Sequence, residues 1–156
     1  MIDKNLKGYT LVEALISVLI LAFILLGVYG VLQTGNTIIT NDNALLEVQQ
    51  QGRNAMDRMV REVRASSSEA ITVINANSDK ITFTTPNETG IKYYLNGANL
   101  AREYPAGTVV NVANSIGYLK FTVAGSLLTI NVRADKALFG KTVSFSLVEN
   151  VRLRNE

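Results

Sequence analysis

The sequence predicts an α+β fold: a long amino-terminal helix, membrane-spanning in its first half, packed against a carboxy-terminal antiparallel β-sheet. Three observations carry that expectation. Residues 14–32 form a nineteen-residue run without a charge. Apolar side chains between Leu45 and Val63 recur mostly at steps of three or four. From Ile71 onward apolar and polar residues alternate at period two.

The apolar run is the first element. As a helix its nineteen residues rise about 28 Å, the thickness of a bilayer's hydrocarbon core. An ordinary secretory signal has a shorter apolar core followed by a small-residue cleavage site, and neither feature is present here. A signal anchor fits better. Lys4 and Lys7 precede the span, so the positive-inside rule leaves the amino terminus cytoplasmic and the bulk of the chain outside. Glu13 stands at the edge of this run, where a carboxylate either snorkels to the headgroups or is paired. Gly27 and Gly30 lie within it, and in a membrane helix glycines commonly mark close packing against neighbouring helices.

The second element is amphipathic. After Leu32 the chain turns polar, and Gly35-Asn36 and Asn41-Asp42-Asn43 are the expected places for a bend or break. Leu45, Val48, Gly52, Met56, Met59, Val60 and Val63 then make a stripe that reads as the seam against a sheet. Arg53, Asp57, Arg58, Arg61, Glu62 and Arg64 occupy the opposite face, with Asp57–Arg61 and Arg58–Glu62 placed for i,i+4 pairing. Ser66-Ser67-Ser68 ends the helix. If continuous from Tyr9, it is nearly 90 Å long at ~1.5 Å per residue.

Six to eight strands follow. Ile81 and Phe83 alternate with Thr82 and Thr84; Ile91, Tyr93 and Leu95 alternate with Lys92 and Tyr94. Asn96-Gly97 marks a hairpin turn, with residues 100–104 returning. Leu119, Phe121 and Val123 precede a second turn at Ala124-Gly125, with Leu128, Ile130 and Val132 beyond it. Val143, Phe145 and Leu147 open a last strand that reaches Val151 and Leu153.

Composition narrows function. The chain has no Cys and no His, so disulfides, thiol chemistry, Cys-ligated metals and the commonest general base are excluded. Net charge is only +2, and no basic cluster is interleaved with aromatics, so no specific nucleic-acid partner is expected. Asn75, Asn77 and Asp79 alternate as calcium ligands do, but no Glu follows at the EF-hand distance, and an Asn-rich turn is the plainer reading. No cofactor, metal or catalytic constellation is expected.

The stretch Lys7-Gly8-Tyr9-Thr10-Leu11-Val12-Glu13, followed by a long apolar helix, resembles the processing motif of type IV prepilins and type II secretion pseudopilins. That motif has a short charged leader ending in Gly, an aromatic residue, Thr, an apolar pair and Glu. Tyr9 stands where Phe is usual. The α+β layout is similar to the pilin-like architecture. More narrowly, residues 53–65, then Y-Y-L…L-A-R-E, L-K-F and a terminal V-R-L-R-N resemble minor pilins of the PilW kind and the J-type minor pseudopilin. The paired carboxy-terminal cysteines of many major pilins are absent.

The resemblance implies a filament subunit, with prepilin peptidase, other pilin or pseudopilin subunits, an inner-membrane assembly platform and the membrane as partners. Cleavage is implied between Gly8 and Tyr9, followed by N-methylation of Tyr9. Glu13 is implied to pair with the terminal amine of a neighbouring subunit. Local melting of the helix between Ala22 and Gly30 in the filament is implied too, since Gly30 falls where many pilins carry Pro. The domains expected are a leader (1–8), a transmembrane and filament-core helix (9–32), an amphipathic helix (33–66) and a β-rich globular domain (67–156). Alternatives are a major pilin, or a plain membrane-anchored extracytoplasmic binding domain in which the Gly8–Tyr9 bond stays uncut. An enzyme acting through carboxylates comes last.

Overall fold

A computed structural model of the chain describes residues 10–67, 69–74, 77 and 79–153. The fold is α+β. One helix, α1 (Leu11–Val63), precedes eight strands: β1 (Ile71–Ile74), β2 (Lys80–Phe83), β3 (Ile91–Asn96), β4 (Asn99–Glu103), β5 (Val109–Ala113), β6 (Ile116–Ala124), β7 (Leu127–Leu138) and β8 (Lys141–Arg152). The chain divides into two compact units, Met1–Thr40 and Asn41–Glu156.

Helix α1 is unbroken from Leu11 to Val63, without the break expected at Gly35-Asn36 or Asn41-Asp42-Asn43. The hydroxyls of Thr34, Thr37 and Thr40 donate to the carbonyls four residues back, at 3.0, 3.0 and 2.7 Å. These side chains thus bond within the helix rather than drawing the backbone into a turn. At its far end Arg64 N–H reaches the Val60 carbonyl at 3.0 Å, and Ser66 N–H reaches Val63 at 2.9 Å, so the helix closes in a tighter turn at the expected serines. Ser68 lies outside the described residues.

In the second unit α1 buries Ala44, Val48, Gly52, Ala55, Met56, Met59, Val60 and Val63. Leu45, expected on the seam, is instead exposed, and Ala44 takes its place. Small residues let the helix approach the strands. A Cβ added at Gly52 would lie 3.2 Å from Phe145 Cδ1 and 3.8 Å from Ala134 Cβ.

The strands form two antiparallel sheets rather than the single one expected: a five-stranded meander, β1-β2-β3-β4-β5, and a three-stranded meander, β6-β7-β8. Period-two alternation places Ile81, Phe83, Ile91, Tyr93 and Leu100 of the first sheet in one core with Leu119, Phe121, Leu128, Ile130 and Val132 of the second. Burying side chains of this size contributes roughly 1.5–3 kcal/mol each. Phe83 and Tyr93 stack with centroids 6.0 Å apart.

Asn96 pairs with Asn99, so the β3–β4 turn is centred on Gly97-Ala98, one residue later than expected. Gly97 has φ +63° while Ala98 does not take positive φ, the pattern of a II′ turn with Gly first. The β6–β7 turn likewise centres on Gly125-Ser126. Strands β1 and β5 and the tight β7–β8 hairpin are not among the elements the sequence marks individually. The hairpin turns on Phe139-Gly140, both at positive φ (48° and 75°), and an aromatic residue is not a turn signal.

Glu62 joins helix to sheet. Its Oε2 accepts from Arg102 Nε at 2.8 Å, and Arg102 Nη2 donates to Glu88 Oε2 at 2.6 Å. The expected Arg58–Glu62 pair is present at 3.5 Å, whereas Asp57 and Arg61 form no ion pair. Both are exposed, and water competes effectively for such charges. Burial opposes the charge on Arg102, but its bonds to Glu62 and Glu88 outweigh that and hold the guanidinium above its ordinary pKa. Burial, reinforced by Glu62, also raises the Tyr93 phenol, whose hydroxyl makes no hydrogen bond of regular geometry. Lys92, at 2.8 Å, and Gly107 N–H hold Glu103 below the usual carboxylate range.

Candidate functional site

The residues singled out by sequence lie at the start of α1 and along its apolar stretch. Thr10 precedes the first helical residue and caps it. Glu13 N–H donates to Thr10 Oγ1 at 3.3 Å and to the Thr10 carbonyl at 3.0 Å, and Ala14 N–H reaches the same carbonyl at 3.2 Å. This is the helix-start signature Thr-x-x-Glu, legible in the sequence but overshadowed there by the leader. Glu13 is thereby fixed in the first turn, where backbone N–H groups favour a negative side chain. Ser17 Oγ donates to the Glu13 carbonyl at 2.8 Å. Among the described residues the Glu13 carboxylate enters no ion pair. Gly8 and Tyr9, the expected cleavage and methylation residues, lie outside the described residues.

From Ala14 to Leu32 the helix is apolar on every side. Its most hydrophobic window has a mean hydropathy of 2.8, and none of that window is buried within the chain. Phe23, Leu26 and Val31 are 64, 67 and 73% exposed. A helix apolar all round needs an apolar environment from elsewhere, lipid or other helices. Gly27 and Gly30 have no neighbour within 4 Å of a Cβ position, so no contact among the described residues requires glycine there. With Val31, Thr34, Gly35 and Ile38 they leave a shallow groove along the helix.

Residues 3–29 match the family model described as "Prokaryotic N-terminal methylation motif". The matched segment contains Gly8, Tyr9, Glu13 and Gly27; Gly30 follows it by one residue. The methylation motif is a prepilin type of signal, and the α+β architecture carrying it is pilin-like. Among the described residues one helix, α1, has the length and composition to cross a membrane, and its first part lies within the matched segment. No curated protein matches the chain.

Asn75 lies outside the described residues, while Asn77 and Asp79 line an open groove with Leu95, Gly117, Tyr118 and Lys120. Among the described residues no group of three acidic side chains is placed to hold a metal.

Proposed function

We propose that the protein is a structural subunit of a type IV pilus or pseudopilus, and within that class a minor pilin that helps initiate or join filament assembly. One observation carries the reading: a match to the methylation motif heads a helix whose first stretch is apolar on every face and is covered by none of the described residues. Prepilin peptidase cleaves between Gly8 and Tyr9 on the cytoplasmic side and methylates the new amine of Tyr9. The helix stays in the inner membrane with its amino terminus cytoplasmic and the β-rich domain outside. An assembly platform then moves the subunit into the filament, where the same apolar surface packs against other subunits.

Glu13 has a physical part in that transfer. A carboxylate at the edge of a membrane span is costly unless it reaches the headgroups or is paired, so a partner charge is worth having. The amine made at Tyr9 lies four residues from Glu13, and the amine of a neighbouring subunit neutralises it as the helices come side by side. The uncovered glycines at 27 and 30 suit close helix packing and local melting between Ala22 and Gly30 in the filament. The work is assembly, not catalysis. Resemblance of residues 53–65 and the later short motifs to minor pilins supports the minor role.

Mass spectrometry of the amino terminus tests this. Cells with the peptidase should yield a chain beginning at methylated Tyr9; an intact leader there points instead to a plain membrane-anchored binding domain. Recovery as a trace component of sheared filaments supports the minor role, and recovery as the bulk component makes it a major pilin.

A further inference from the structure

The tip of the β7–β8 hairpin puts an aromatic ring where the backbone resists one. Phe139 has φ +48°, and Gly140 follows at +75°. Asn, Asp or Gly take the first position of such a turn with little strain, whereas a bulky side chain there is an outlier. Packing among the described residues does not repay the strain, for Phe139 is 75% exposed. A strained, uncovered ring is explained by a use outside the molecule.

Its position says what that use is. Ala134 and Phe145 of the hairpin lie against Gly52 of α1, and two residues nearer the tip Lys136 pairs with Glu47. Moving toward the tip therefore moves toward the amino-terminal end of this unit's helix, which begins at Asn41. Eight residues of sequence separate Asn41 from Leu32, the last residue of the apolar run. Even fully extended, that tether reaches only roughly 30 Å. Chemistry points the same way. Lys141, exposed and in no ion pair among the described residues, flanks the ring, and Leu138 is half-exposed beside it. An aromatic tip beside a free lysine suits the headgroup layer of an anionic bilayer.

We propose that Phe139, with Leu138 and Lys141, docks the β domain on the surface of the membrane that α1 spans, holding the subunit against the bilayer before assembly. This rests on the membrane-anchored reading above.

The chain has no Trp, so Phe139→Trp makes a sole reporter. The full chain is reconstituted in phosphatidylethanolamine–phosphatidylglycerol vesicles whose acyl chains are brominated near the headgroup. Phe139→Trp should lose most of its emission to the bromines, as should the in-span control Phe23→Trp, while Ser126→Trp at the other end of the sheet keeps its emission. Quenching at position 23 but not 139 overturns the docking and leaves the membrane anchor standing; no quenching at either removes both. A blue shift at 139 that grows with protein-to-lipid ratio without quenching means contact with a second copy, and also overturns the proposal. Phe139→Asn suits the turn and should fold at least as well. It should restore trypsin cleavage after Lys141 in vesicles several-fold over the wild-type chain, and an unchanged cleavage rate counts against docking.

Discussion

The ring of Phe145 rests on Gly52, so that a Cβ added at residue 52 would stand 3.2 Å from Phe145 Cδ1. Alanine there relieves glycine's conformational cost in a helix, about 1 kcal/mol, but presses on a ring that is only half-buried on an edge strand and has room to tilt. Gly52→Ala should accordingly change stability by less than about 1 kcal/mol, whereas Gly52→Val should destabilise by about 1–3 kcal/mol through overpacking. Urea denaturation of the full chain in micelles measures both. Equal effects from Ala and Val would mean that this contact does not limit packing.

Arg102 bridges Glu62 on the helix and Glu88 between β2 and β3 while 12% of its side chain is exposed. Removing the cation takes from two partly exposed carboxylates the partner that they share. Arg102→Ala should cost about 1–3 kcal/mol. Arg102→Lys should recover only part, because one ammonium does not reproduce two directed guanidinium bonds. A double-mutant cycle with Glu62→Gln should give a coupling well above that of the exposed Arg58–Glu62 pair; equal couplings refute the bridge.

Tyr93 gives an alkaline signature. Its folded-state pKa is raised, first by burial and then by Glu62, so the folded chain keeps this proton longer than the unfolded one. The contribution is intact below the ordinary tyrosine value of about 10 and declines as pH rises above it. Tyr93→Phe should flatten that decline. At neutral pH it should shift stability by less than about 1 kcal/mol, since the hydroxyl has no regular hydrogen bond to lose. Urea midpoints across pH for both chains decide this, and parallel profiles would contradict it.

Glu13 and Thr10 separate helix capping from assembly. Thr10→Val removes the cap and should weaken the helix start by about 1 kcal/mol. Glu13→Gln leaves the Thr10 bond to the residue-13 N–H in place while removing the charge. Cleavage after Gly8 should persist in Glu13→Gln, yet incorporation into filaments should fall as far as in Glu13→Ala. Normal incorporation of the Gln variant would show that charge pairing is not needed.

Much of the fold was legible locally. An unbroken apolar run, a stripe at helical spacing and alternation at period two are properties of neighbouring residues, and they located α1, β2, β3, β4, β6 and most of β7 and β8. Strand β5 carries the apolar-rich sequence Val-Val-Asn-Val-Ala without clean alternation, so period two does not mark it. The β7–β8 turn was hidden because Phe139 supplies no turn preference of its own. At the candidate site position alone marks Glu13, Gly27 and Gly30, and Thr10-x-x-Glu13 is a local capping signature that the neighbouring leader overshadows.

By itself, then, the sequence determined where the chain turns from apolar helix to amphipathic helix to strands, and that its first helix has to be covered by lipid or other chains. Hydrophobicity and its period belong to each segment alone. Only the tertiary structure decided that the strands split into two sheets, that Ala44 rather than Leu45 faces the core, and that Glu62 reaches Arg102, forty residues away. Those outcomes depend on how closely helix and strands approach, and that distance is set by side chains far apart in the chain, Gly52 against Phe145 among them.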